Sequence, residues 1–257
     1  MTENSASFTG SGTKDDPLTF DAMRPTAPDP AHVAVGGLAK TARDHAAAFS
    51  SASAGLSADL REIVSAASSA ITGTLSTAYD ARVRADDFMA DVKMYPEGRK
   101  VLAGEAIKAA SDKVAESFAQ ADAQLEVASA LTYEAARPKV ATDAAMTART
   151  DLAMITQRHM GNAGALIDAV RSLAQRSDSV GALVADVSYL GDFLSANGVD
   201  DETREAALTL VRSEVVKAAA QSGDQDRAAA GKANMALVEL RKARIAAMSF
   251  TRHILNH

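Results

Sequence analysis

The 257-residue chain contains no cysteine and no tryptophan, and aromatic residues make up only 4% of it. Without cysteine, it can form no disulfide, no thiolate nucleophile and no thiolate metal site. No apolar run approaches the roughly 20 residues of a membrane-spanning helix. Residues 1–12 lack the basic and apolar segments of a secretory signal. We therefore expect a soluble protein, cytoplasmic when it is made, with no membrane partner.

Proline is scarce, and four of the six prolines lie in the first 30 residues. This segment also contains glycine, serine and threonine, and it has too few large apolar residues to form a core. We expect an extended, non-helical N-terminal arm over residues 1–30, with one short strand in the stretch DPLTFDA. A neighbouring subunit is the simplest body that could hold such an arm. Four apolar side chains of the arm are candidate partner contacts: Phe8, Leu18, Phe20 and Met23.

Alanine, by contrast, occupies 57 positions. It is the best intrinsic helix former, but each alanine buries little apolar area. Long helices that share contacts along their whole length would offset this weakness, and so would contacts with other subunits. We therefore predict two or three helices of roughly 35–40 residues, each spanning about 57 Å at 1.5 Å per residue.

Proline residues mark the predicted helix boundaries in the first half of the helical region. Asp29-Pro30 has the pattern of an N-cap followed by proline in the first turn, so a helix is expected to begin there. Pro96 and Pro138 each interrupt a long helical pattern, because proline cannot continue the hydrogen-bond ladder. The helix between them alternates large apolar residues with alanine, which is typical of a helical hairpin or coiled-coil seam.

Glycine and capping residues mark the predicted helix boundaries in the second half of the helical region. Gly161 and Gly164 predict a kink or a short loop. Residues 177–198 are interpreted as one helix that ends at Gly198 in a left-handed C-cap. Asp200 or Asp201 is then the N-cap of the following helix.

The remaining chain shows neither strand alternation nor a repeat of solenoid length. We predict an all-α fold: an elongated bundle of long alanine-rich helices carrying the N-terminal arm. One helical domain is expected over residues 31–257, with a candidate subdivision near residues 161–178.

Apolar residues at three- and four-residue steps predict the buried faces of these helices. Val92 is expected to extend the buried stripe of the second helix, and Ile245 belongs to that of the last. Five of the nine methionines could form an adaptable partner surface, but at helical spacing they are interpreted as core. They are Met146, Met154, Met160, Met235 and Met248.

The net charge of −6 is unevenly distributed. Residues 227–257 have six Lys or Arg against Glu239, a balance of +5, so the rest of the chain carries −11. Such a basic helix is expected to dock on an acidic surface of another subunit or of a different partner. Its candidate contact residues are Arg241, Lys242, Arg244 and Arg252.

Two other partners of a basic helix are less consistent with the pattern. The basic residues are not interleaved with aromatics and the whole chain is acidic, which argues against nucleic acid. The anchoring tryptophan and clustered lysines of a membrane-surface helix are also missing.

The stretch TGSGTKDD is similar to a phosphate loop but lacks the Gly-Lys-Ser/Thr ending and the flanking strand and helix. It is interpreted as a flexible linker. His253 and His257 lie four residues apart without a third ligand nearby. None of the five histidines follows a glutamate by three residues, as the di-metal sites of helical bundles require. We therefore expect neither a metal nor a cofactor.

Neighbouring carboxylates occur in two places. Asp86, Asp87 and Asp91 are interpreted as a solvated face with Arg82 and Arg84 as local partners. The acids at 200–202 are interpreted as a helix cap. A catalytic pair of carboxylates must converge across a cleft, so neither group predicts an active site.

These patterns favour a non-enzymatic structural or assembly protein that forms a homo-oligomer through helix packing and its arm. A bacteriophage virion component of the head, connector or tail fits this combination best, with other structural proteins as further partners. The alternative is a cytoplasmic or exported helical-bundle adaptor or effector that binds a protein partner. It predicts a stable monomer or dimer. An enzyme whose active site is assembled from residues scattered over several helices is the least favoured class.

Overall fold

The computed structural model describes residues 7–9, 19–21 and 30–256, which form two short strands and nine helices. The chain divides into two compact units, Met1–Gly37 and Leu38–His257. Since helices dominate the described residues, the all-α prediction is confirmed. The strands are β1 (Ser7–Thr9) and β2 (Thr19–Asp21). The helices are α1 (Pro30–Ala52), α2 (Ala58–Ala90), α3 (Pro96–Ala136), α4 (Thr142–Arg158), α5 (Ala163–Arg176), α6 (Asp178–Val184), α7 (Val187–Ala196), α8 (Asp201–Ala220) and α9 (Gln225–Asn256).

In the first unit, β1 and β2 pair antiparallel, with Phe8 opposite Phe20. Strand β2 lies within the stretch DPLTFDA, for which a short strand is expected. Leu18 and Met23 lie outside the described residues.

Helix boundaries follow the prolines. Helix α1 begins at Pro30 and α3 begins at Pro96, where a missing backbone N–H costs no helical hydrogen bond. Helix α3 ends at Ala136, two residues before Pro138. Helices α2, α3 and α9 contain 33, 41 and 32 residues, close to the predicted lengths.

Helices α2 and α3 form a long hairpin, and α9 packs against both. Large side chains such as Ile71 and Leu75 are buried on α2. Nearer the end of the hairpin, the buried positions are alanines, among them Ala81, Ala85 and Ala103. These small side chains allow close approach of the two backbones but contribute little buried area.

Helices α3 and α9 run antiparallel. Arg227 at the start of α9 bonds to Ala136 at the end of α3, and Arg244 bonds to the earlier residue Asp122. Between these points, the Asn234 amide donates to the Ser129 carbonyl, 3.1 Å away. A residue that lies further along α9 therefore lies level with an earlier residue of α3.

Helices α4–α8 surround a second cluster of buried residues, to which the end of α3 contributes Tyr133. The aliphatic members of this cluster lie mainly on α5–α8. They are Leu152, Leu166, Ile167, Val170, Val180, Val184, Leu190, Leu194, Val199, Val211, Val215 and Val216.

The prediction of a single helix over residues 177–198 is wrong. The structure has two helices there, α6 and α7, separated at Ala185-Asp186. The Asp186 carboxylate accepts hydrogen bonds from the backbone N–H groups of Ser188 and Tyr189, at 2.9 and 3.1 Å. Asp186 is thus an N-cap that begins a new helix inside an apolar pattern that could have continued.

The end of α7 and the start of α8 agree with the prediction. Gly198 has a φ of 75°, which is the left-handed conformation expected of a glycine C-cap. The Asp200 carboxylate accepts from the backbone N–H of Thr203 and caps α8.

The predicted burial is wrong for several apolar residues. Val92 lies in the loop after α2 and is 82% exposed, because the helix ends before it. Ile245 is 58% exposed on the outer side of α9, whose core side is occupied by Ala243, Ala246 and Ala247. Met248, which is interpreted as core, is half-buried. The other four methionines interpreted as core are exposed: Met146, Met154, Met160 and Met235.

Candidate interaction surface

The basic helix α9 is fixed to its neighbours by a few polar side chains. Arg227 is buried; its Nε donates to the Ala136 carbonyl at 3.1 Å and its Nη1 donates to Asp178 at 2.8 Å. Asn234 donates to the Thr132 hydroxyl at 2.9 Å, in addition to its bond to Ser129. The first half of α9 is therefore a structural element of the bundle.

Arg244 forms the next link between α9 and α3. Its Nη2 donates to the Asp122 carboxylate at 2.6 Å, and its guanidinium lies 5.5 Å from the centre of the Phe118 ring. Both contacts hold the side chain across the line where the two helices meet. Arg244, a candidate partner contact by sequence, is thus already paired within the chain.

Lys242 belongs to a different pair, on the α1 side of α9. It donates to Glu239 at 2.8 Å, and the other carboxylate oxygen of Glu239 lies 2.6 Å from Nδ1 of His45. The hydrogen bonds from Lys242 and then His45 lower the pKa of Glu239. This cluster attaches α1 to α9.

Arg241 has no such partner. It lines a shallow groove between α3 and α9, together with Glu126 on the opposite wall. Ala123, Leu125 and Ile245 contribute apolar surface to the same groove. Among the described residues, neither Arg241 nor Glu126 makes an ion pair or a side-chain hydrogen bond.

Arg252 lies further along α9, beside a second depression lined also by Ser249, His253 and Asn256. In the described part of the chain, Arg252 likewise has no ion pair. Of the four basic candidates on α9, the structure therefore leaves two available for an external partner, Arg241 and Arg252.

The loop between α2 and α3 ends the hairpin and carries a second exposed group. Val92 and Tyr95 are 82% and 85% exposed, and Met89 and Val101 on the flanking helices are also exposed. Nε of Arg99 donates to the Met94 carbonyl at 2.9 Å and stabilises the turn. We call Met89, Val92, Tyr95 and Val101 the hairpin patch.

The polar residues of α4–α8 form structural pairs. Glu214 is buried and accepts hydrogen bonds from Arg171 at 3.0 Å and from Lys217 at 3.1 Å. Burial raises the pKa of Glu214, but the bonds from Arg171 and Lys217 outweigh it, and the pKa is lowered overall. Tyr133 donates to the Ala185 carbonyl at 3.2 Å, and Arg212 stacks on its ring.

The carboxylates considered as catalytic candidates have local roles. Asp86 pairs with Arg82 one turn earlier in α2, at 2.9 Å. Asp200 is an N-cap, and the hydrogen bonds that it accepts from the backbone and then the side chain of Thr203 lower its pKa. Within residues 7–9, 19–21 and 30–256, no three His, Asp or Glu side chains lie close enough to hold a metal ion. No described helix is both long and apolar enough to cross a membrane.

Sequence reasoning did not identify the acidic wall of the α3–α9 groove or the exposure of Ile245. Glu126 lies 115 residues before Arg241, and Asp122 lies 122 residues before Arg244. No local sequence pattern therefore connects the two walls. The one available signal is the spacing of the exposed Met235, Val238 and Ile245, which lie three and seven residues apart and so share one side of α9, beside the buried stripe.

The four arm residues Phe8, Leu18, Phe20 and Met23 remain candidate contacts from sequence alone. The backbones of Phe8 and Phe20 face each other in the strand pair, as described above.

The chain matches no protein-family model, no curated protein and no solved structure.

Proposed function

We propose that this chain is a non-enzymatic structural protein that assembles into a homo-oligomer through its helices and its N-terminal arm. The observation that carries the proposal is the hairpin patch. Four large apolar side chains lie within thirteen residues at one end of the longest hairpin, and two of them are more than 80% exposed. Exposed apolar side chains that cluster in this way are typical of protein–protein contacts.

The polar chemistry of the described residues is consistent with a role in contacts rather than catalysis. The buried charged groups, Glu214 and Arg227, both hold helices together. The groups whose pKa is lowered, such as Asp200 and Glu239, are a cap and an interhelical link. Each of these four groups thus has a structural role, and none of them is paired with a candidate nucleophile.

The class of assembly that we propose is a virion component of a bacteriophage, in its head, connector or tail. An extended terminal arm on a helical body suits proteins that pack many copies side by side. In this proposal, the arm contacts a neighbouring subunit through Phe8, Leu18, Phe20 and Met23.

The proposal can be tested by measuring the absolute mass of three forms of the chain by light scattering. The full chain is expected to form a discrete multiple of 26.6 kDa. The double variant Val92→Ser/Tyr95→Ser and a chain lacking residues 1–29 are each expected to form smaller species.

The double substitution lies on exposed side chains, so it should change the free energy of unfolding by less than about 0.5 kcal/mol. The control is Met146→Ser, which removes an apolar side chain that is 67% exposed on α4. A full chain that remains a monomer would contradict the proposed function.

A further inference from the structure

We propose that the face formed by α3 and α9 is a two-fold interface with a second copy of this chain. In it, α3 of each copy packs against α9 of the other. This inference rests on the proposed function, because it names one of the contacts through which the chain would assemble. Its starting point is the groove in which Glu126 and Arg241 lie unpaired on opposite walls.

The two unpaired charges lie at the same level of the groove. Glu126 lies one turn after Asp122 on α3, and Arg241 lies one turn before Arg244 on α9. Since Asp122 and Arg244 are bonded and the helices are antiparallel, both steps lead in the same direction along the groove. Glu126 and Arg241 therefore face outwards side by side, on either side of the groove.

The same separation of charge continues along both walls. On α3, the exposed residues Asp112 and Glu116 lie about 40° and 80° around the helix from Glu126, at 100° per residue. On α9, the exposed Arg252 lies about 20° around the helix from Arg241, at 100° per residue. We call Asp112, Glu116 and Glu126 the acidic rim, and Arg241 and Arg252 the basic rim.

Arg252 lies two turns beyond Arg244, and Asp112 and Glu116 lie before Asp122. In an antiparallel pair, these positions are again roughly level. None of the five rim residues makes an ion pair among the described residues. Apart from the bonded pair of Asp122 and Arg244, the acidic and basic residues of the two rims therefore have no partners within the described part of the chain.

The uncharged residues beside the two rims suit a close helix contact. Ala115, Ala119 and Ala123 are exposed on the outer side of α3 and leave room for a neighbouring backbone. On the α9 side, Ile245 is an exposed apolar side chain at the level of those alanines and can pack against them. Small residues on one wall and large ones on the other make the face complementary to itself.

A two-fold axis parallel to the groove uses all of these features. It places α3 of one copy opposite α9 of the other, at unchanged levels along the axis. Glu126 of each copy then faces Arg241 of the other, and Ile245 faces the alanines. Because the contact is isologous, every favourable pair occurs twice.

The size of the face is sufficient for a stable contact. From Met235 to Asn256, the outer side of α9 is about 33 Å long, and two adjacent helices are about 20 Å wide. This gives roughly 650 Å² per copy, or about 1,300 Å² in total, which is within the range of specific interfaces.

The test uses the full chain with Arg241→Glu or Glu126→Arg, and it measures mass over a dilution series. Either change alone places like charges opposite each other at both symmetric positions. We expect each variant to weaken the self-association about tenfold or more. An equimolar mixture of the two variants should restore it, because each mixed pair again has opposite charges at both positions.

Two controls match the changes in charge. Lys232→Glu changes the opposite side of α9, and Glu105→Arg lies about 31 Å from Glu126, towards the start of α3. Both side chains are exposed and unpaired, so their variants should assemble like the unmodified chain. Ile245→Asp tests the apolar part of the interface and should also dissociate it. Circular dichroism verifies that each variant is folded.

Three results would overturn the inference, and they are distinguishable. If the chain assembles but the Arg241 and Glu126 variants keep its full mass, another surface forms the contact and the proposed function stands. If both variants dissociate but their mixture does not recover, the two-fold pairing is wrong. If the unmodified chain is a monomer, the inference and the proposed function both fail.

Discussion

The buried guanidinium of Arg227 donates from Nε to the carbonyl oxygen of Ala136, 3.1 Å away, and so joins the first turn of α9 to the last turn of α3. The same guanidinium reaches Asp178 at the start of α6. One side chain therefore connects the long helices to the α4–α8 cluster. A carbonyl at a helix end has no partner within its own helix, which is why a donor from another helix is valuable there.

Replacing Arg227 with methionine should destabilise the chain. The change leaves the Ala136 carbonyl without its donor in a buried position, and we expect a loss of about 1–3 kcal/mol. Urea unfolding followed by circular dichroism measures it. Lys232→Met, at an exposed position on the same helix, should change the free energy of unfolding by less than about 0.5 kcal/mol. Equal stabilities of the two variants would contradict the role of Arg227.

Gly231 marks a close approach of α8 and α9. A Cβ atom there would lie 2.5 Å from the Ala220 nitrogen and 2.9 Å from the Val216 carbonyl oxygen. Because both are backbone atoms, Gly231→Ala should cost about 1–3 kcal/mol by overpacking. The matched control is Gly73→Ala on α2, where nothing lies within 4 Å of the new Cβ. That change should stabilise the chain by about 0.5–1 kcal/mol, since alanine favours helix. Thermal unfolding compares the two, and an increase in Tm for Gly231→Ala would contradict the packing.

The hydrogen bonds that Glu214 accepts from Arg171 and Lys217 should make the free energy of unfolding depend on pH. The pKa of Glu214 is lowered in the folded chain, so its stabilising effect is complete above the unfolded pKa of 4.5. The effect is lost as the pH falls below 4.5 and through the lower folded value. Glu214→Gln should therefore cost about 1–2 kcal/mol at pH 7.

The cost should shrink towards acidic pH as the unmodified chain loses the same charge. Unfolding titrations of both forms between pH 3 and pH 7 measure this difference. Glu205→Gln, an exposed and unpaired position on the same helix, is the control. A difference between Glu214→Gln and the unmodified chain that is independent of pH would contradict an ionic role for Glu214.

Local sequence signals predicted the helix boundaries well. Pro30, Pro96 and Gly198 act through their own backbone geometry, so their effect is visible without the rest of the fold. The division between α6 and α7 was missed because Asp186 interrupts an apolar pattern that is otherwise continuous. A cap of this kind competes with helix continuation, and tertiary packing decides between them.

The candidate surface was only half predictable. The charge of α9 indicated a docking role for Arg241 and Arg252. The acidic rim on α3 became visible only once the two helices were placed side by side. Ile245 shows the limit of periodicity, because an apolar stripe predicts that a face avoids water but does not say whether another helix of the chain covers it.

The most direct test of the central claim is the absolute mass of the unmodified chain in solution, measured by light scattering behind a sizing column over a range of concentrations. We expect a discrete species at a multiple of 26.6 kDa that becomes smaller only on strong dilution. A mass of 26.6 kDa at every concentration would contradict it and would favour the adaptor or effector alternative.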